Sequence, residues 1–168
     1  QVFVDDAPQR SSVLYLSLLL SSIVFVFFGL VATAGSAFVQ DGRLTALPLG
    51  AAVPVGLAAV ALLVANNLRD RPGDAESGKR TLAVLMGDRG TRVLYVALTA
   101  ALFVSLPYLA LVRPWALLAL AALPLAVMPV RAVLLGRSGR DLIPVLAGTA
   151  RLQLGFGVAL TVGLALGA

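Results

Sequence analysis

The sequence predicts an all-α membrane protein, a bundle of about five transmembrane helices. Three observations predict it. Of 168 residues, 60% are hydrophobic and only 12% are charged, roughly half the charged share of a soluble domain. The apolar residues gather into runs that approach or exceed the roughly 20 residues a helix needs to cross a hydrocarbon core. The cations fall mostly in the short polar stretches between those runs. A bilayer core offers no water to backbone groups, so each run must satisfy its own N–H and C=O groups as a helix.

The elements follow in chain order. Residues 13–38 are apolar apart from scattered Ser and Thr and form the first predicted span. Gln40, Asp41, Gly42 and Arg43 make a tight polar turn. The second span is 44–65, with Pro48 near its start and Pro54 inside; buried helices tolerate proline where neighbours satisfy the freed carbonyl. Residues 66–91 read as a long polar loop. Spans at 92–111 and 115–135 flank the turn at Val112, Arg113 and Pro114, with Trp115 as an interfacial anchor. A polar loop at 136–141 leads to the last span, 143–168. Arg151 interrupts its beginning, so the deep part is expected from Leu152, with Arg151 extending its stem to the interface. Gly155, Gly157, Gly163 and Gly167 read as packing positions where helix backbones can approach. No repeat or low-complexity linker divides the chain, so 1–168 reads as one bundle.

Charge sets the expected orientation. With five spans, Arg10, Arg69, Arg71, Lys79, Arg80, Arg89, Arg92, Arg131, Arg137 and Arg140 share one face, and only Arg43 and Arg113 lie on the other. An excess of Lys and Arg marks the cytoplasmic side, so the 66–91 stretch is expected there, in a multi-pass protein whose solvent is the lipid bilayer. The net charge of +5 is not spread as a stripe for nucleic acid. With no Cys and no His, disulfides, thiolate nucleophiles and the usual general base are excluded. The chain opens on Gln1 without a signal peptide, and is expected to be a fragment.

The chemistry concentrates at 66–92. Asn66 and Asp70 are four apart and share a helix face. Pro72 and Gly73 are expected to end that helix, leaving Asp74 in the turn beyond, close to Asp70. Two carboxylates with one or two amide oxygens suit Mg²⁺, which keeps waters and positions for phosphate oxygens. Lys79, Arg80 and Arg69 would neutralise the remaining phosphate charge. This set at a membrane face points to a phosphorylated lipid. A diphosphate on an allylic carbon fits, since its departure needs only charge stabilisation, orientation and exclusion of water. The alternative is that Asp70 and Asp74 pair with Arg69, Arg71 or Lys79 as ordinary surface charges.

The longer string is more specific. Asn66-Asn67-Leu68-Arg69-Asp70, Asp74, then Gly78-Lys79-Arg80-Thr81-Leu82-Ala83-Val84 and Gly87 resemble the second aspartate-rich motif of the UbiA-type intramembrane aromatic prenyltransferases. Within that superfamily the chain looks most like the 1,4-dihydroxy-2-naphthoate polyprenyltransferases. Phe25 to Gly29, Asp88 to Tyr95, and Gly139 to Leu146 carry further likeness, and the resemblance extends over about 23–168. It implies that Asp70 and Asp74 are catalytic and hold Mg²⁺ and the polyprenyl diphosphate. It also implies that Asn66 and Asn67 support them, and that Lys79 and Arg80 hold diphosphate oxygens. The implied reaction joins the polyprenyl chain to the aromatic acceptor, 1,4-dihydroxy-2-naphthoate, with loss of its carboxylate, giving demethylmenaquinone in menaquinone biosynthesis at a bacterial inner membrane.

The family fold has nine helices and a first motif of the Asn-Asp-x-x-Asp type. Asp5 and Asp6 do not match that motif, so the chain is expected to be an incomplete enzyme. Two other readings remain open here. One is a prenyltransferase with a hydroxybenzoate, haem or chlorophyll precursor as acceptor. The other is a non-catalytic membrane helix bundle.

Overall fold

The computed structural model describes Tyr15 and residues 18–166. Asp5, Asp6, Arg10, the start of the first predicted span and Gly167 lie outside the described residues. Five helices are long and apolar enough to cross a membrane: α1 (Leu18–Asp41), α2 (Ala46–Glu76), α3 (Leu82–Ala110), α4 (Pro114–Leu134) and α5 (Gly139–Leu166). Among the described residues there is no strand. The five spans expected from the apolar runs are therefore present, with shifted ends.

Helix α2 is the central element, packing on α1, α3 and α5, while α4 lies against α5. Its inner face is rich in alanine: Ala51, Ala52, Ala58, Ala59, Ala61 and Ala65 are all buried. Short side chains let helices approach where lipid supplies no hydrophobic drive. Helix α1 widens into a π-helix over Val26–Gly35, and Thr33 Oγ1 donates to the Phe28 carbonyl five residues back at 3.3 Å. There α1 comes so close to α2 that a Cβ on Gly29 would stand 2.7 Å from the Ala52 carbonyl oxygen. Of the four glycines expected to be packing positions, Gly163 is the clearest. A Cβ there would collide with the backbone carbonyl of Trp115, pinning α5 to the start of α4. Gly157 has no neighbour that a Cβ would meet.

Two buried clusters fill the bundle. One gathers Leu102, Leu106, Leu109, Phe156 and Leu160 with the alanines of α4. The other, nearer the polar end, gathers Val64, Leu68, Tyr95, Val133 and Val145. Inside the latter, the Tyr95 hydroxyl and Thr149 Oγ1 are 2.6 Å apart, and Thr149 Oγ1 lies 2.8 Å from the Val145 carbonyl, so α3 and α5 meet through a satisfied polar pair.

The main correction concerns residues 66–91, which do not form a loop. Helix α2 continues to Glu76 and α3 begins at Leu82. Pro72 and Gly73 do not end α2. A mid-helix proline forfeits one hydrogen bond, to the Leu68 carbonyl, at a cost of about 3 kcal/mol, but the turns on either side persist. The stop is Gly78, whose φ of 73° is left-handed. Around it Lys79 N–H donates to the Asp74 carbonyl (2.8 Å) and Gly78 N–H to the Ala75 carbonyl (3.2 Å), the closing pair of a glycine-terminated helix. Asp74 therefore belongs to the last turns of α2, not to a turn beyond it.

Length then places the polar ends. The 31 residues of α2 extend about 46 Å at 1.5 Å per residue, against a hydrocarbon core of about 30 Å. The last ten or so residues of α2, and by the same reasoning the first ten of α3, stand beyond the apolar layer.

Candidate diphosphate and metal site

The projecting end of α2 forms one wall of an open cleft of about 880 Å³. Arg69, Asp70, Asp74 and Lys79 line it, joined by Glu76 and by Arg140 from the turn that enters α5. Asp70 and Asp74 are one helical turn apart and present to the same side. Arg69 donates to Asp70 through Nε (2.8 Å to Oδ1) and Nη2 (2.9 Å to Oδ2). Asn66 Nδ2 donates to Asp70 Oδ2 at 3.3 Å. The Arg69 hydrogen bonds hold the Asp70 carboxyl below the usual carboxylate range, outweighing the opposing effect of desolvation. Lys79 Nζ stands 3.7 Å from Asp74 Oδ1, the lysine side chain 70% exposed and the carboxylate 13%. The ordinary ion pairs weighed as an alternative are thus formed. They also place cations beside the carboxylates at the cleft surface.

The expected site residues divide. Arg69, Asp70, Asp74 and Lys79 come together in the cleft, with Asn66 at its edge. Asn67 and Arg80 do not line it. Asn67 is turned about 100° round α2 from Asn66, and Arg80 follows the glycine stop. Arg140 and Glu76 were not anticipated. The motif at Gly139 to Leu146 was the available signal for Arg140, because its cation sits at the foot of a helix packed on α2.

A second polar cluster braces the cleft from behind. Asp88 follows Gly87, whose φ of 72° breaks α3 after its first turns. Asp88 Oδ1 accepts from Arg92 Nη2 (2.9 Å) and from Arg71 Nη2 on α2 (3.4 Å). The hydrogen bonds from Arg92 hold the Asp88 carboxyl below its ordinary value. Arg92 also donates through Nη1 to the Val133 carbonyl (2.7 Å) and through Nη2 to the Arg137 carbonyl (2.8 Å). One guanidinium thereby ties α3 to the end of α4, while its acidic partner ties α3 to α2.

Further along the same seam an apolar groove of about 630 Å³ lies between α1, α2 and α5. Phe28, Leu62, Leu63 and Leu146 line it, with Asn66 at the cleft end and Gln153 further down. Gln153 also borders a further apolar hollow of about 480 Å³ walled by Val55, Phe156 and Val162. Charged cleft and apolar groove thus share the α2/α5 seam.

The model of the UbiA prenyltransferase family matches residues 15–147. The chain belongs to the UbiA prenyltransferase family. Its sequence is 45% identical over 144 residues to 1,4-dihydroxy-2-naphthoate octaprenyltransferase of Mycobacterium tuberculosis, a match covering 86% of this chain and 49% of that protein. It is 47% identical over 126 residues to the protein of the same name from Mycobacterium leprae, covering 75% of this chain and 43% of the relative. It is also 38% identical over 87 residues to human UbiA prenyltransferase domain-containing protein 1, covering 52% and 24%. The chain spans about half the length of the first two relatives. The matched stretch contains Asp70, Asp74, Lys79 and Arg140.

The donor set fits a divalent cation of the hard type. Asp70 and Asp74 offer carboxylate oxygens at one cleft wall, and the cleft is open enough for water and phosphate oxygens to complete a coordination shell. Among the described residues no group of three or more acidic, His or Cys side chains is poised to hold a metal.

Proposed function

We propose that this chain carries the diphosphate-binding part of a polyprenyltransferase that prenylates 1,4-dihydroxy-2-naphthoate in menaquinone synthesis. One observation carries the reading: the Asp70/Asp74 cleft, with its cations, lies on the same α2/α5 seam as an apolar groove. A polyprenyl diphosphate has that same division between a highly charged head and a long apolar tail. The acceptor assignment rests on the names of the relatives at 45% and 47% identity.

Asp70 and Asp74 would hold Mg²⁺, which when bound neutralises diphosphate charge and aids its departure. Lys79, Arg69 and Arg140 face the same cleft and supply donors to the phosphate oxygens. Lys79 keeps its exposed ammonium 3.7 Å from Asp74, within reach of a phosphate held in the same cleft. The groove lined by Phe28, Leu62 and Leu146 holds the prenyl chain and excludes water from the allylic carbon. As the allylic C–O bond breaks, its electron pair leaves with diphosphate. The electron-rich ring carbon of the naphthoate forms the new C–C bond, and the ring regains aromaticity by releasing its carboxylate as carbon dioxide. No histidine or cysteine is needed. The excess of Lys and Arg at the cleft end supports a cytoplasmic position for it at a bacterial plasma membrane.

Transfer from polyprenyl diphosphate to 1,4-dihydroxy-2-naphthoate by the full-length protein in membranes tests this. Asp74→Asn and Asp70→Asn each lower turnover by about 100-fold or more, as loss of a charge-stabilising group does. Turnover retained in either variant rejects the role given to the carboxylates.

A further inference from the structure

A separate feature lies at the same membrane face, on the outer side of α4. Arg131, in the last turn of α4, and Arg137, just past its end, border a groove of about 540 Å³ that Leu135 also lines and whose lower wall includes Pro124, Val127 and Met128. We propose that this groove is a binding site for an anionic phospholipid, with its headgroup phosphate between the two guanidinium groups and an acyl chain against the apolar wall.

Three observations carry it. The first is unspent charge. Arg69, Arg71, Lys79 and Arg92 each have a carboxylate partner, whereas among the described residues Arg131 and Arg137 have none, and both are exposed. The second is a fixed presentation. The Arg137 carbonyl accepts from Arg92 Nη2 at 2.8 Å, and its N–H reaches the Ala132 carbonyl at 3.4 Å. Its backbone is thus held on both sides, which fixes the point from which its side chain leaves the chain beside the groove. The third is the pairing of cations with apolar depth. From Arg131 down to Pro124 the helix covers about 10 Å, with Val127 between them 61% exposed. Basic pockets beside transmembrane helices at the cytoplasmic rim suit anionic headgroups. A soluble anion would use the arginines alone and make no contact with the apolar wall. A lipid uses both. The inference is independent of the prenyl-transfer reading, because none of these residues lines the Asp70 cleft.

Lipid retention by the full-length protein in detergent, followed by native mass spectrometry with phosphatidylglycerol or phosphatidylcholine added, tests it. The unaltered protein retains phosphatidylglycerol in preference to phosphatidylcholine. In the double variant Arg131→Gln with Arg137→Gln that preference falls by roughly thirtyfold, each cation near the surface contributing about fivefold. Val127→Trp fills the groove, keeps both charges, and also weakens retention. Arg43→Gln, on the opposite face, changes nothing. Equal retention of the two lipids by the unaltered protein overturns the proposal, as does a double variant that binds phosphatidylglycerol normally. So does displacement of the lipid by glycerol phosphate at equal concentration, which would mean that the apolar wall contributes nothing.

Discussion

Replacing Arg92 with Met tests whether the clamp behind the cleft holds the polar ends of three helices together. The Arg92 side chain is only 11% exposed, so Met preserves most of its packing while removing every donor. Four contacts are lost: two to the Asp88 carboxylate, one to the Val133 carbonyl and one to the Arg137 carbonyl. The Val133 bond deserves nearly full weight, since that residue is fully buried and hydrogen bonds to charged groups contribute about 1.5 to 3 kcal/mol. The Asp88 pair is discounted, because its carboxylate is 42% exposed and exposed pairs contribute about 1 kcal/mol or less. The exposed Arg137 carbonyl can turn to water. The sum is a loss of about 3 kcal/mol, read by reversible unfolding in mixed detergent micelles. Asp88→Asn supplies the comparison: it removes charge and leaves both carbonyl bonds in place, so its cost is about 1 kcal/mol. Equal costs for the two variants would refute the reasoning, because the carbonyl contacts would then contribute nothing. A cost below about 0.5 kcal/mol for Arg92→Met would refute it outright.

Three further outcomes are expected. Arg69→Gln removes the hydrogen bonds that depress Asp70. The depressed carboxyl stabilises fully above its unfolded value and is lost only as pH falls through the lower folded value, so the variant moves the Asp70 titration upward. Carboxyl NMR measures it, and an unmoved titration would reject the assigned cause. Gly78→Ala forces a side chain into a left-handed conformation at a cost of about 1 to 2 kcal/mol and displaces Lys79, raising KM for the prenyl diphosphate; an unchanged KM and stability would show that the helix stop does not position the cation. Gly163→Ala drives a methyl group into the Trp115 carbonyl and costs about 1 to 3 kcal/mol in the same unfolding assay, whereas a neutral result would mean that α4 and α5 are not held at that spacing.

The five spans were legible because each apolar run is long and the bilayer leaves helix as its only outlet. Their ends were not, because polarity marks the edge of the hydrocarbon rather than the edge of a helix. Asn66, Arg69, Asp70 and Arg71 are polar and still helical, since α2 outruns the apolar layer. Pro72 looked like the stronger stop, yet it removes a single hydrogen bond, whereas Gly78 offers a left-handed turn that captures two N–H groups. Asp70, Asp74, Arg69 and Lys79 were legible from four-residue spacing and proximity along the chain. Asn67 was misplaced because neighbours in sequence point apart on a helix. Arg140 was missed because only the packing of α5 against α2 carries it to the cleft. Arg92 was counted as one more topology charge, and no local pattern reveals that its partners are carbonyls some forty residues downstream.

The overshoot of α2 has a consequence for whatever is held along it. On the proposed reading, a group held by Asp70 and Asp74 would sit in the aqueous boundary, and one along Leu62 and Leu63 in oil. A compound severed between these two zones sorts itself: the ionic fragment is already at the exit to water, and the greasy one never leaves the bilayer. Neither fragment would have to cross the other's phase, so the proposed reaction would release its products in opposite directions.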